Sequence, residues 1–170
     1  MEQLIKEVKI ASINDVGAFT GYASVFGIPD SYGDIIAPTA FNDVIAKLAA
    51  EGKFPPIVWE HEKSEPIGEQ ILIIDDKGIQ VEGLLWIDQL EFARKAHKLM
   101  KSTKYYMSFY GTFDAKHTDE NGYRVIDHID ALYETSITAY PAQNAAEILA
   151  VKSDNRIITA LEGWLDELKK

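Results

Sequence analysis

Apolar and polar positions alternate with a period near two along much of this chain, and in three places the period lengthens to that of a helix. Residues 4–13, LIKEVKIASI, read as a first strand, and residues 19–26, FTGYASVF, as a second, with Asn14-Asp15-Val16-Gly17 as the turn between them. The stretch 27–33, GIPDSYG, is rich in turn formers and reads as a loop. Residues 34–36 are a short extended piece. Pro38 then precedes a helix over 40–50 in which Phe41, Val44, Ile45 and Leu48 make one apolar face and Thr39 is the expected N-cap. Pro55-Pro56 forces an extended approach to Ile57-Val58-Trp59. Residues 67–74 and 79–86 flank Asp75-Asp76-Lys77-Gly78, a hairpin signal with glycine available for positive φ. Over 88–101, Leu90, Phe92, Ala93, Ala96, Leu99 and Met100 among charges predict an amphipathic helix. The aromatic run 105–113, YYMSFYGTF, fits a pleated, half-buried strand. A polar hairpin loop, KHTDENG, leads to strands over 123–129 and 132–140, the latter closed by Pro141. A terminal helix over 155–168, capped by Asp154 or Ser153, carries Ile157, Ile158, Leu161, Trp164, Leu165 and Leu168 as its stripe.

About seven strands that do not alternate regularly with helices predict an α+β fold and disfavour a doubly wound parallel sheet. The expected architecture is a mainly antiparallel, closed or nearly closed β-barrel with peripheral helices. The 170 residues suit a single domain spanning 1–170, with the barrel core at 4–150 and the helix at 155–168. No apolar run approaches the roughly 18 residues needed to cross a membrane, so a soluble protein with no membrane partner is expected. The start MEQLIKEVKI lacks the basic region and apolar core of a signal peptide. The absence of cysteine excludes a disulfide framework, a cysteine nucleophile and a thiolate metal site, and points to the cytosol. A formal charge of -10, spread along the chain, argues against nucleic-acid binding, which draws its affinity from Lys and Arg at phosphates.

At the centre of the aromatic run stands Ser108. A serine hydroxyl needs a neighbouring base to take its proton, and that base needs a third group to fix its tautomer. His61 directly follows Ile57-Val58-Trp59, where a buried strand would deliver a side chain to a cleft. His97 lies in a charged helix and His117 in a polar loop, and both are expected to be solvated. Glu134 lies in the mostly uncharged strand LYETSI, where an inward carboxylate would require a partner. Bland roles remain open for each: Ser108 as a small packing residue, Glu134 as a carboxylate facing water. There is no GxSxG elbow and no phosphate-cradling loop. His61-Glu62 fails the HExxH spacing because position 65 is Glu, so no metal and no cofactor are expected.

Four stretches in order, GYASVFGIPDSYGDIIAPTAF, PPIVWEHEKSEPIGE, YYMSFYGTF and LYETSITAYPAQNAAEI, resemble the prohead serine proteases of tailed phages, relatives of the herpesvirus assemblins. They cover most of residues 21–148. The resemblance implies a serine endopeptidase with an acyl-enzyme mechanism on an assemblin-like barrel. Its substrates would be phage scaffold and major capsid-protein extensions, and itself, inside the immature prohead in the host cytoplasm. By motif position Ser108 would be the nucleophile, His61 the base and Glu134 the third member. His128 is the rival third member, because assemblins use a second histidine. The family commonly has glycine two residues after the serine, whereas Phe109-Tyr110 precede Gly111 here, and it commonly has glycine where Thr39 stands. The oxyanion hole would then be the backbone around Tyr110 and Gly111, with the Arg124 side chain as an alternative. A homodimer or higher self-association through the terminal helix is the expected quaternary feature. The rival from another class is a non-catalytic capsid-assembly module on the same barrel.

Overall fold

The computed structural model describes residues 16–149 apart from 116 and 147, so the strand expected over 4–13 and the helix expected over 155–168 lie outside the described residues. In chain order the elements are β1 (Ala18–Val25), β2 (Asp34–Ile36), α1 (Asn42–Ala50), β3 (Ile57–Trp59), β4 (Glu62–Ile74), β5 (Gly78–Leu85) and α2 (Glu91–Ser102). There follow β6 (Tyr106–Asp114), β7 (His117–Thr118), β8 (Arg124–Ile126), β9 (His128–Thr138) and β10 (Ile148–Leu149).

The strands form two mixed sheets rather than the mainly antiparallel closed barrel expected. A curled seven-stranded sheet has the order β10-β1-β5-β4-β3-β9-β6, and a small sheet has the order β2-β8-β7. β3 pairs parallel with β9, and β2 parallel with β8. Alternation along a strand does not encode the direction of its partner, which explains the miss. The clue that existed was composition: Ile57 and Val58 are both buried, and a run buried on both faces is the habit of a central strand with a parallel neighbour. Register shifts between Tyr22 and Ser24 in β1, on both sides of Val58 in β3, and twice between β6 and β9 add the local twist that curls the sheet.

The hairpin of β4 and β5 forms where expected, with Asp75 Oδ1 accepting the N–H groups of Lys77 and Gly78 at 2.8 and 2.9 Å. α1 starts later than the pattern predicted. Phe41 stands at its N-cap with no side-chain cap, and Thr39 instead offers its carbonyl to Asn42 N–H in a preceding turn. The residues that would reward a capped start are already used, since Phe41 is buried with its ring edge-on to Phe109 at 5.1 Å. Phe41 thereby pins the start of α1 to β6, while the Trp59 ring meets those of Phe92 in α2 and Tyr105 at 6.3 and 4.9 Å.

Gly83 sits opposite Phe19 across the β1–β5 ladder, and the buried Phe19 ring covers it: a Cβ at Gly83 would stand 2.4 Å from that ring and 3.0 Å from Ile57 Cδ1. Gly83→Ala therefore overpacks the centre of the core and should cost ~1–3 kcal/mol. Urea unfolding measures this, and the double variant Gly83→Ala with Phe19→Leu should cost less than the sum of its parts.

Candidate active site

Ser108 lies on β6 level with Ser136 of β9. Residues opposite one another in an antiparallel ladder project on the same face, and residues two apart on one strand do so too. Ser108, Ser136 and Glu134 therefore share a face. β3 runs beside β9 with Trp59 level with Ile137, and the chain leaving β3 turns back over that face. Glu60 N–H donates to Ile137 O at 2.9 Å, and His61 N–H donates to Ser136 Oγ at 2.7 Å. His61 Nδ1 then meets Glu134 Oε1 at 2.7 Å.

The turn that achieves this is strained. Glu60 and His61 have φ of 49° and 59°, the left-handed region that side chains other than glycine rarely adopt. Each such residue costs on the order of 1 kcal/mol, and it persists only where the surroundings over-determine it. Here the Glu60 carboxylate supplies part of that restraint, Oε2 accepting from Thr138 Oγ1 at 2.7 Å and Oε1 from Ala139 N–H at 2.9 Å.

The Glu134 side chain is only 2 % exposed and that of His61 is 40 % exposed. Glu134 Oε2 is buried with no protein partner. A buried carboxylate with one partner gains most when that partner is cationic. The hydrogen bond to Glu134 accordingly holds the His61 pKa above its ordinary 6.5, against the lowering effect of burial and with the charges of Glu134 and Glu60 adding to it. Because Nδ1 faces a carboxylate, the neutral ring carries its proton there and leaves Nε2 as the basic nitrogen.

Ser108 is 8 % exposed and borders a cleft of about 280 Å³ along the outer edge of β6. Tyr110, Gly111 and Phe113 continue that wall, and Asp34 and Arg124 stand in the facing one. Arg124 donates to both Asp34 oxygens, from Nε at 2.6 Å and from Nη2 at 2.5 Å. Met107 N–H points outward to Ala146 O at 2.8 Å. The strand alternation that turns Met107 outward turns the N–H groups of Phe109 and Gly111 toward the cleft and that of Tyr110 toward β9.

Of the residues singled out in the sequence, His61 and Glu134 are in direct contact. Ser108 shares their face but makes no hydrogen bond to His61, and Ser136 stands between them. His128 is elsewhere. It is level with Asp114 at the other end of the ladder, six residues or ~20 Å of strand from Ser108. There its ring lies 3.8 Å from Asp43 Oδ2 and 3.5 Å from Asp130 Oδ1. His97 is buried on the inner side of α2 rather than solvated, and His117 is exposed, 3.7 Å from Asp127. Sequence reading missed Ser136 and Glu60. Glu60 adjoins His61, but nothing in the residue types announces a left-handed corner.

The fold is that of a herpesvirus protease. A crystal structure of KSHV protease in complex with a hexapeptide phosphonate inhibitor matches with a TM-score of 0.51 and 12 % identity, over 84 % of this chain and 68 % of that one. Residues 5–158 match the family model described as caudovirus prohead serine protease, and the chain belongs to that family. It is 34 % identical over 164 residues to the prohead protease of Enterobacteria phage HK97, covering 94 % of this chain and 72 % of the relative. Its role is thus that of a protease in phage capsid maturation.

His61 binds its proton more tightly in the folded chain than in the unfolded one, so the His61–Glu134 pair contributes stability that is complete below pH 6.5 and declines as pH rises through the raised value. An NMR titration of His61 should give a midpoint above 6.5 that falls in Glu134→Gln. The stability lost in that variant should be larger at pH 6 than at pH 9, and a midpoint indifferent to the replacement would remove Glu134 as its cause.

Proposed function

We propose that the chain is a serine endopeptidase in which Ser108 is the nucleophile, His61 the general base and Glu134 the group that orients and charge-balances the imidazole. The observation that carries this reading is the 2.7 Å bond from His61 Nδ1 to Glu134 Oε1, made on the ladder face that also bears Ser108. With Nδ1 committed, Nε2 takes the Ser108 proton as Oγ attacks the scissile carbonyl carbon, and then delivers that proton to the leaving amine. Water hydrolyses the acyl-serine in a second round with His61 again as base. Reach between nucleophile and base is often looser without substrate, which is compatible with Ser108 and His61 being unbonded here.

Of the two backbone donors considered for the oxyanion, Gly111 fits better, since its N–H turns to the cleft while that of Tyr110 turns to β9. Arg124 is a poorer candidate because Asp34 already holds its guanidinium in a bidentate pair. The substrates are scaffold and capsid-protein extensions, and the protease itself, cut inside the immature prohead in the host cytoplasm. A cleft of about 280 Å³ suits the side chains of an extended segment rather than a folded surface.

Ser108→Ala should lower cleavage of the phage's own capsid and scaffold proteins by on the order of 10⁴- to 10⁶-fold, as expected when members of a catalytic unit are removed, with the thermal transition almost unmoved. Gel analysis of matched digests with both proteins decides it, and equal cleavage rejects Ser108 as nucleophile. A serine-directed phosphonate should also form an adduct at Ser108; a folded, assembled sample that forms none would favour the non-catalytic assembly module.

A further inference from the structure

The side chain just before His61 makes no contact with the proposed nucleophile, yet both of its oxygens are engaged. Glu60 Oε1 and Oε2 accept from Ala139 N–H and Thr138 Oγ1, just past and at the end of β9, while Glu60 N–H donates to Ile137 O. Thr138 Oγ1 in turn accepts Tyr140 N–H at 3.1 Å. Three bonds thus staple one strained residue to the far end of the strand whose middle carries Glu134. We propose that Glu60 is a positioning residue for His61, its carboxylate holding the left-handed Glu60–His61 corner so that the imidazole reaches Glu134. This rests on the protease reading above for its consequence in catalysis, but not for its geometry.

A backbone held at positive φ without glycine relaxes when its restraints are removed. Loss of the carboxylate would let the corner open and swing the imidazole off β9. Carbon chemistry alone would not replace the staple, whereas glutamine, with one oxygen to accept from Ala139 N–H and one amide to donate to Thr138 Oγ1, keeps both contacts and loses the charge. That separation distinguishes a positioning carboxylate from a merely structural one. The charged and titratable groups around the ring are few. Glu134 faces it from β9 and Glu60 from the corner itself. Lys63 of β4 has its ammonium 4.0 Å over the Tyr110 ring, whose backbone is level with Glu134. The Tyr105 phenol, ahead of β6, has its pKa raised by burial and then by the charge of Glu60. The Glu60 charge likewise favours the protonated His61, after the larger effects of Glu134 and of burial.

The test follows the rate at which a fluorophosphonate labels Ser108, read by intact mass against pH, in wild type, Glu60→Ala and Glu60→Gln. A base displaced by about 1 Å loses on the order of 10²-fold in rate, and that is the loss expected for Glu60→Ala at the high-pH plateau. Glu60→Gln should recover most of the plateau, with its acid limb moved to lower pH because one negative charge has left the imidazole. Labelling of Glu60→Ala at the wild-type rate overturns the proposal, as does a Glu60→Gln acid limb that coincides with wild type. If circular dichroism shows Glu60→Ala unfolded, Glu60→Gln alone decides. Should wild type itself resist labelling, the protease reading fails and an NMR titration of His61 in a Ser108→Ala background decides the matter: a lower midpoint in Glu60→Gln upholds the placement of Glu60, and an unmoved midpoint overturns it.

Discussion

The parallel contact between β3 and β9 is the constraint from which the rest of the site follows. It puts Ile57 level with Thr135 and Trp59 level with Ile137, so that the chain leaves β3 beside the last turn of β9's pleat. Had β3 paired antiparallel there, residues 60 and 61 would have left at the other end of the ladder rather than beside Ile137 and Thr138, next to the face that carries Ser136 and Glu134. The parallel arrangement requires the chain to reverse immediately to become β4, which pairs antiparallel with β3 from Trp59 opposite Glu62. Here a tight corner with both residues left-handed makes that reversal in two residues, and it drops His61 onto the face of β9. A buried amide supports this contact from below: Gln70 of β4 accepts Thr135 Oγ1–H at 2.7 Å and donates to Pro55 O at 2.8 Å, tying β4 and β9 to the chain that enters β3.

Glu134 makes the corner and the fold interdependent. A carboxylate this deep, with one oxygen lacking a protein partner, would ordinarily be a liability of several kcal/mol. Its single partner is an imidazole with a raised pKa, and the exposed edge of that imidazole lets water share the charge. Burial on one side and solvent on the other give the pair opposite tasks. Glu134 stays fixed in the strand, while the half-exposed His61 can gain and lose a proton at its solvent edge. The strain at residues 60 and 61 is thereby offset by bonds on three consecutive residues of β9, from Ser136 to Thr138, and by the ion pair two residues before them.

How much of this was legible in the sequence depended on whether the physics was local. The aromatic run around Ser108 is a strand because ring packing on a pleat is a local preference, and it appears as β6 within a residue of its expected bounds. The Asp75-to-Gly78 hairpin and the amphipathic α2 were readable for the same reason. His61 stood out because it ends a buried run, and Glu134 because a carboxylate there has little company. Direction of pairing, however, is decided by contacts distant in the chain, so the parallel β2–β8 ladder was not visible and the β3–β9 ladder left only the hint of an apolar run. Thr39 failed as a cap because burial of Phe41 governed where α1 begins. His97 was misjudged because its charged neighbours suggested solvent while its helical phase turned it inward, beside Ala93, Ala96 and Met100. Ser136 looked like one more small residue, and its role exists only once His61's amide arrives.

The same logic explains why a loop, rather than another strand, closes the side of β6 that carries Ser108. Past Tyr140 the chain crosses to β1, where the ladder with β5 is interrupted between Tyr22 and Ser24. Gln143 binds the edge of β1 that faces away from β5: its Oε1 accepts Val25 N–H at 2.7 Å and its Nε2 donates to Val25 O and Ile28 O at 2.9 and 2.8 Å. A buried amide with every contact satisfied is a rigid anchor, since each bond would go unmade in an apolar site if the loop shifted. From that anchor the chain reaches Ala146, whose carbonyl takes Met107 N–H one residue before Ser108. Ser108 is therefore held from both sides, by β9 through the ladder and by this segment at its neighbour. Yet among the described residues the backbone bond from the loop to the outer edge of β6 is at Met107 N–H, and the strand beyond it, from Phe109 to Phe113, lines the cleft. A further strand paired along the whole of β6 would have held Ser108 as firmly, but it would have filled the space beside it.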